Sequence, residues 1–296
     1  MALSWRSNGA RFVPALAALV AVATAQETPP VESATDKSAF HLFNPTPAVS
    51  LRPMTVDGPG TTESPYTLDA GHFQLEMALV SYSIYEESFP GGRYRLESWS
   101  VGPVNIKAGL FNRVDLQLVV EPYLHVVESE TDFYRETRSG PGDTTVRVKV
   151  NCWGNDEGST ALAAMPYCTF PTSEVGLGND HIQAGLILPF SISLPGDFYL
   201  GLTSRFGAVR AEGATDYHAE FSNSVSLSRE LFRDLELFVE FYDLVSTERD
   251  VDALNTLNTG LMFWLTDNLQ LNAGVNYGLS DSADDWHGYF GMAWRY

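Results

Sequence analysis

Apolar and polar residues alternate one by one along most of the sequence after residue 71. The run Leu-Gln-Leu-Asn-Ala-Gly-Val-Asn-Tyr at residues 269–277 is the clearest case. A period of two is typical of a β-strand that has one apolar and one polar face. No segment after the first 25 residues keeps a helical period. The pattern therefore predicts an all-β protein.

Twelve segments carry this alternation, and the connections between them fall into two sets. The predicted strands are 72–85, 93–110, 114–127, 143–153, 160–170, 181–194, 198–208, 217–228, 235–245, 253–265, 269–279 and 286–296. Short turns at 111–113, 154–159, 195–197, 229–234 and 266–268 alternate with connections at 86–92, 128–142, 171–180, 209–216, 246–252 and 280–285, most of them longer. An even strand number with short turns at one end and long loops at the other is typical of outer-membrane barrels.

The last predicted strand also favours a membrane barrel over a soluble sheet. It carries Phe290, Met292, Trp294 and Tyr296 on one face. An exposed aromatic edge would promote aggregation of a soluble sheet, whereas in a closed barrel the same strand pairs with the first one. Such terminal strands resemble the signal that the barrel-insertion machinery reads. We predict a transmembrane antiparallel β-barrel of about 12 strands, monomeric and surrounded by outer-membrane lipid.

Residues 1–25 have the features of a secretory signal peptide. Arg6 and Arg11 precede an apolar stretch, and Ala23-Thr24-Ala25 supplies small residues for cleavage. Removal of two arginines would change the net charge from −19 to 16 − 37 = −21. A chain this acidic is a poor partner for nucleic acid. We expect export and insertion into the outer membrane of a Gram-negative cell.

Residues 26–66 differ from the rest because seven of the sixteen prolines lie there. Proline removes backbone donors, so this stretch is not predicted to form strands. It is interpreted as an extended arm, a linker or a plug, and a loose periplasmic tail stays open as the alternative. The predicted organisation is therefore a signal peptide at 1–25, a Pro-rich arm or plug segment at 26–66 and the barrel at 67–296.

The six loops of the second set concentrate negative charge. They hold sixteen acidic and four basic residues, which gives 4 − 16 = −12. The acids include Glu86, Glu87, Glu128, Glu130, Asp132, Asp250, Asp252, Asp281, Asp284 and Asp285, and the bases are Arg135, Arg138, Arg210 and Arg249. We expect these charges outside the membrane. Their spacing matches no ion-binding loop, so no metal site and no cofactor are predicted.

In a barrel, the polar face of each strand lines the lumen. The lumen-lining candidates are Glu76, Lys107, Asp115, Glu121, Arg147, Lys149, Arg205, His218, Glu220, Glu236, Glu240 and Arg295. Opposite charges are expected on neighbouring strands: Glu76 with Lys107, Asp115 and Glu121 with Arg147 and Lys149, Arg205 with Glu220, and Arg295 beside the first strand. They would form either a structural lattice, which we favour, or a charged constriction that sorts solutes. Both roles can hold together.

Other reactive residues give little indication of chemistry. If 154–159 is a turn, Cys152 and Cys168 lie roughly 20 Å or more apart at ~3.3 Å per residue, so free thiols are expected. None of the six histidines has a serine two residues away on the same strand face. Triads between strands stay open, but no enzymatic activity is predicted.

Three stretches resemble the outer-membrane transporter family named for the meta-pathway of phenol degradation. They are Thr-Thr-Glu-Ser-Pro-Tyr-Thr-Leu-Asp-Ala-Gly-His-Phe-Gln-Leu-Glu at 61–76, Gly-Asp-Thr-Thr-Val-Arg-Val-Lys at 142–149 with Asn151 and Trp-Gly-Asn at 153–155, and Phe-Asn-Pro-Thr-Pro at 43–47. The resemblance covers residues 41–296. Members usually carry Asp-Arg-Pro-Asp where this chain has Asp-Gly-Pro-Gly at 57–60, so any role of that Arg and second Asp does not carry over. The resemblance implies the function of an uptake channel more strongly than it implies phenol as the solute.

We hypothesise a channel for passive uptake of small solutes, among them aromatic or hydrophobic ones, with residues 41–66 near or in the barrel mouth. The narrow barrel of twelve strands makes a wide pore implausible. The alternative is a structural or surface-interaction barrel that carries no solute and acts through its acidic loops.

Overall fold

The computed structural model describes residues 36–131, 134–210, 216–248 and 251–296. This part of the chain forms fifteen β-strands and a short 3-10 helix at Ala48–Ser50. The strands are β1 (Phe73–Phe89), β2 (Gly92–Val101), β3 (Val104–Phe111), β4 (Val114–Val120), β5 (Tyr123–Glu130), β6 (Tyr134–Gly140), β7 (Thr144–Trp153), β8 (Thr160–Phe170), β9 (Gln183–Leu194), β10 (Phe198–Val209), β11 (His218–Phe232), β12 (Leu235–Ser246), β13 (Leu254–Thr266), β14 (Leu269–Gly278) and β15 (Trp286–Arg295).

The fifteen strands make a closed barrel of twelve antiparallel crossings. Three crossings are divided in two: β2 and β3 at Gly102-Pro103, β4 and β5 at Pro122, and β6 and β7 at Pro141. Proline has no backbone donor, so the ladder is interrupted where it stands. Both β2 and β3 pair with β1, and β15 pairs with β1 to close the barrel. The predicted all-β, twelve-stranded transmembrane barrel is confirmed.

Burial in this barrel is the inverse of that in a soluble protein. Lys149, Gln117, Gln270, Glu240 and Asn258 are among the largest fully buried side chains, and the exposed surface is rich in large apolar residues. Polar groups lie on the inner face and apolar groups on the outer face because side chains alternate along each strand. An apolar outer face around a polar interior is the arrangement of barrels that contact lipid.

Exposed aromatic side chains form a girdle at each end of the outer face. At the end with the short turns these include Phe111, Trp153, Phe232 and Trp294, and at the loop end they include Tyr82, Trp99, Phe170 and Trp286. The ring of Trp294 contacts that of Tyr296 with centroids 5.9 Å apart. The Tyr296 amide donates to the Phe73 carbonyl at 2.8 Å, so the terminal aromatic strand joins the first strand as expected.

The predicted loops at 86–92 and 128–142 are wrong over most of their length. β1 and β2 continue to a turn at Pro90-Gly91, and β5 and β6 extend a second hairpin beyond the girdle. These extensions have water on both faces, so their sequences lack the apolar alternation on which the prediction rests. Cross-strand ion pairs hold them instead, such as Arg95 Nε to Glu86 Oε1 at 3.3 Å. The predicted crossing at 143–153 accordingly begins earlier, in β6.

Several sequence-based expectations lie wholly or partly outside the described residues. These are the signal peptide at 1–25, the first part of the arm at 26–35, and the loop residues Asp132, Arg249 and Asp250. Cys152 and Cys168 are both free cysteines, as expected.

Within the part of the chain that the structure describes, no helix is long and apolar enough to cross a membrane.

Candidate functional site

The candidate site is the contact between the barrel interior and the arm segment, which we define as residues 36–70. Five of the seven prolines of the 26–66 stretch lie in it, from Pro45 to Pro65. They favour an extended backbone whose donors are not used by a sheet. The backbone donors and acceptors of such a segment need other partners when buried. Here side chains of the barrel wall supply many of them.

Two basic residues fix the arm segment at the short-turn end of the barrel. Lys37 Nζ lies 3.2 Å from Asp69 Oδ1 and 3.0 Å from Asp156 Oδ1 in the β7–β8 turn. Arg52 Nη1 lies 2.9 Å from the same Asp156 oxygen and donates to Asn112 Oδ1 at 2.8 Å. Burial acts to raise the pKa of Asp156, but the bond from Asn112 and the two cations outweigh it and hold that pKa below its usual range.

Deeper in the lumen, the carboxylate of Asp57 accepts bonds from three barrel side chains. Its Oδ2 lies 2.6 Å from Lys107 Nζ and accepts from Gln117 Nε2 at 3.0 Å, and its Oδ1 pairs with the ammonium of Lys149. Only 5% of Asp57 is exposed. Burial favours the neutral carboxyl, but the ammonium groups of Lys107 and Lys149 outweigh that effect and lower the pKa of Asp57 well below its ordinary value. Asp57 is therefore a buried carboxylate held by two cations.

A second ion pair joins Glu63 of the arm segment to the same side of the barrel. Arg147 Nη1 lies 2.6 Å from Glu63 Oε1, and both side chains are buried. The backbone N–H of Glu63 faces the other side of the lumen, where it donates a hydrogen bond to Thr203 Oγ1 at 2.9 Å. The arm segment thus spans the lumen between β7 and β10.

On the far side, one carboxylate of the wall receives the backbone of the arm segment. Glu240 accepts the amides of Thr61 and Thr62, each at 2.8 Å, and the Asn258 side chain at 3.2 Å. A Cβ added at Gly60 would lie 2.5 Å from a Glu240 carboxylate oxygen. The aspartate usual at this place in the resembling family would add a second carboxylate there, so glycine at 60 is compatible with Glu240.

The structure buries seven of the twelve candidate lumen residues, and these contact the arm segment more than one another. The buried ones are Glu76, Lys107, Asp115, Arg147, Lys149, Glu240 and Arg295; Glu121, His218, Glu220 and Glu236 are half-buried and Arg205 is exposed. Glu76 and Lys107 form the expected pair. Asp115 lies opposite Lys149 in the ladder, but it accepts the Leu68 amide at 3.0 Å.

Two expected groupings are not formed, whereas Arg295 lies beside the first strand as expected. No described ion pair joins Glu121 to Arg147 or Lys149, since these two bind the arm segment instead. Arg205 faces Ser222 in the register, and its guanidinium lies 5.3 Å from the Tyr167 ring centre. Glu220 contacts His218 and not Arg205, with its Oε1 3.4 Å from His218 Nε2. Arg295, whose ladder partner is Gln74 of β1, donates to the Arg52 carbonyl at 2.7 Å.

The sequence-based site omits the acidic residues of the arm segment. Asp57, Glu63 and Asp69 lie six residues apart in a Pro-rich stretch, and each pairs with a cation. The regular spacing of these acids within a Pro-rich segment is the indication that the sequence offers. Among the described residues no group of three or more potential metal ligands is present.

The family model and one of the solved structures agree with the fold. The architecture is that of outer-membrane β-barrels, and the chain belongs to the family described as "Putative MetA-pathway of phenol degradation", whose model matches residues 56–296. An outer-membrane channel from Pseudomonas putida F1 is similar in structure, with a TM-score of 0.59 at 13% identity over 81% of this chain and 99% of that one. The transport unit of the autotransporter AIDA-I from Escherichia coli gives 0.49 at 12% identity, covering 75% and 90%. No curated protein matches the sequence.

Proposed function

We propose that this chain is an outer-membrane channel for passive uptake of small solutes, and that its arm segment occludes the lumen and must shift for a solute to pass. The observation that carries the proposal is the way the segment is held. Its inner part, residues 54–68, contacts opposite sides of the closed barrel through hydrogen bonds and ion pairs. Family membership and the channel-like fold support the same function.

The polar character of these contacts favours movement of the segment. Separating apolar surfaces in water costs ~25 cal/mol per Å², whereas separated polar and charged groups regain hydration. A buried ion pair contributes little net stability but strongly favours one geometry. The arm segment is thus positioned by Asp57 and Glu63 in a specific way, while water can solvate both surfaces once it leaves.

The proposed size of the solute rests on the strand number of the barrel. Twelve strands enclose an interior between the filled lumen of small barrels and the open channel of porins, so small molecules are the proposed cargo. Aromatic or hydrophobic solutes are the finer part of this proposal, and the family description supports them. We further propose that the chain acts as a monomer and that its last strand is recognised by the barrel-insertion machinery.

One contact among the described residues would fit an enzyme instead. His125 Nδ1 lies 2.6 Å from Ser139 Oγ across the β5–β6 hairpin. A serine nucleophile needs a third group that orients the histidine. Among the described residues no hydrogen bond to the other ring nitrogen of His125 is present. We therefore propose transport rather than hydrolysis.

A reversible disulfide between the arm segment and the wall tests the proposal. The hydroxyl oxygens of Thr62 and Ser224 lie 2.7 Å apart, so sulfur atoms near these positions can bond after a small adjustment. We suggest Thr62→Cys with Ser224→Cys in a chain whose native cysteines carry Cys152→Ser and Cys168→Ser. Planar-bilayer recording is expected to show low conductance in the oxidised form and a higher conductance after reduction.

Two further variants make the experiment decisive. Thr62→Cys alone in the same background should respond to neither oxidant nor reductant. Deletion of residues 36–66 should give the highest conductance. If neither the reduced protein nor the deletion variant conducts ions or swells liposomes with small solutes, the channel proposal fails and the sealed barrel of the alternative hypothesis is supported.

A further inference from the structure

A cavity of about 230 Å³ separates the arm segment from one side of the barrel near the short-turn end. Its wall side is formed by inward-facing residues of β10 to β14, among them Tyr199, Glu236 and Gln270. At ~30 Å³ per water molecule, the volume corresponds to about eight waters, which is room for a molecule with one ring.

The walls of the cavity combine aromatic rings and thioethers. Trp264, Phe238 and Met262 contribute from the barrel, and Met54 and Tyr66 from the arm segment. Flat aromatic faces and flexible sulfur-containing side chains accept an apolar body of variable shape. Aromatic faces also attract cations through their negative π-surface.

The charged residues of the lining are all acidic. They are Glu63, Glu236 and Glu240, and no lysine, arginine or histidine is among the described residues of the lining. Glu63 is paired with Arg147, and Glu240 is occupied by amides of the arm segment. Within the described residues Glu236 forms no ion pair, and no cation contributes to its electrostatic surroundings. One carboxylate therefore stays without a cation.

The side-chain amide of Gln270 is buried at the same wall. Gln270 is 0% exposed, and among the described residues neither its oxygen nor its nitrogen has a hydrogen-bond partner. An unsatisfied buried polar group costs about 1–3 kcal/mol, so such groups are rare and call for an explanation. A polar molecule in the adjacent cavity, reached by a small shift of the side chain, would provide one.

We propose that this cavity binds a small organic ammonium ion with an aromatic body. Glu236 supplies the counter-charge, Gln270 accepts a hydrogen bond from the ammonium group or its neighbour, and Trp264 covers the ring. Anions are excluded because each carboxylate of the lining repels them. That such an ion is also carried through the barrel rests on the function proposed above, whereas binding itself does not.

Three probes that differ only in the head group test the charge preference. They are phenethylammonium, 2-phenylethanol and phenylacetate, titrated calorimetrically into the full chain in lipid nanodiscs. We expect phenethylammonium to bind about tenfold more tightly than the alcohol, and phenylacetate not to bind. Equilibrium binding needs no transport, so a failure here is distinct from absent conductance in bilayers.

Matched variants locate the site. Glu236→Gln should reduce the affinity for phenethylammonium to that of the alcohol and leave the alcohol unchanged. Glu220→Gln makes the same change at the loop end of the lumen and should alter neither. Gln270→Leu should weaken both probes, while Gln183→Leu, near the loop end, should not. Absence of binding by wild type, tighter binding of phenylacetate, or equal losses in the Glu236→Gln and Glu220→Gln variants would each overturn the proposal.

Discussion

The two sides of the lumen hold the arm segment in different ways. One side, formed by β1, β3, β4 and β7 and here called the charged wall, binds Asp57 and Glu63 through Lys107, Lys149 and Arg147. The other, formed by β10 to β14 and here called the cavity wall, accepts backbone amides of the segment through Glu240 and leaves a cavity of about 230 Å³.

This difference indicates how the segment could move. Ion pairs to buried side chains fix one geometry, and losing one partner leaves an uncompensated charge. Hydrogen bonds from amides to a single carboxylate can be exchanged for bonds to water with a small net change, of the order of 1 kcal/mol each. We therefore expect the segment to remain attached to the charged wall while its contacts with the cavity wall open first.

The largest effect is expected when the charged wall loses its counter-charge. Asp57→Ala leaves the ammonium groups of Lys107 and Lys149 close together without their shared carboxylate. Breaking a buried pair by removing one partner costs about 3–5 kcal/mol. The free energy of unfolding in urea should fall by about 3 kcal/mol unless the segment leaves and the lysines hydrate, in which case conductance rises instead.

The control for this variant is an acid of the same segment outside the ion-pair cluster. Asp36 is exposed, so Asp36→Ala should change neither the unfolding free energy nor the conductance. Adding Lys149→Met to Asp57→Ala removes one unpaired charge and should restore part of the loss. If the Asp57→Ala protein matches wild type in both unfolding free energy and conductance, the proposed difference between the charged wall and the cavity wall is wrong.

A smaller effect is expected at the cavity wall. In Gly60→Ala the new Cβ would meet the Glu240 carboxylate, the far end of a side chain that can shift. The loss should be about 1 kcal/mol, at the low end of the range for overpacked sites. Because Glu240 accepts the amides of Thr61 and Thr62, amide hydrogen exchange of these two residues should become faster.

A neighbouring glycine provides the comparison. A Cβ at Gly58 would have nothing within 4 Å, so Gly58→Ala should leave exchange at Thr61 and Thr62 unchanged. Equal effects of the two substitutions would show that the backbone of the segment, and not its contact with Glu240, determines the result.

The barrel could be predicted from sequence because each crossing strand has lipid on one side and a polar interior on the other. The alternation at 269–277 reports both environments at once, and β14 spans Leu269–Gly278. The hairpin at β5 and β6 could not be found in this way, since Glu128, Arg135 and Arg138 lie where both faces meet water. In these two strands side chains still alternate between the faces, but neither face is apolar.

The partners of the lumen charges were less predictable for a related reason. The position of Lys149 follows from strand parity, but its partner does not follow from the neighbouring strand. Asp57 binds it from a separation of 92 residues, through a segment without any period. Direct ladder neighbours such as Asp115 therefore looked like the partner. The regular spacing of Asp57, Glu63 and Asp69 is the only local sign of these contacts.

Mild acidification is expected to leave both anchors of the arm segment in place. The lysines of the charged wall hold the pKa of Asp57 below its usual range against the effect of burial, and Arg52 and Lys37 contribute to a lowered pKa of Asp156 at the turn end. A carboxyl whose pKa is lower in the docked state stabilises that state above its ordinary value of about 3.9, and the contribution is lost only as the pH falls towards the lowered one. Conductance and the unfolding free energy should therefore show no step attributable to these two groups between pH 7 and pH 5, and the segment should begin to leave only below about pH 4.

In Asp57→Asn the contribution of this residue is absent at every pH, so the conductance of the variant at pH 7 should already resemble that of the acidified wild type. A wild-type transition between pH 7 and pH 5 that disappears in Asp57→Asn would show that the charged wall does not stabilise the ionised carboxylate.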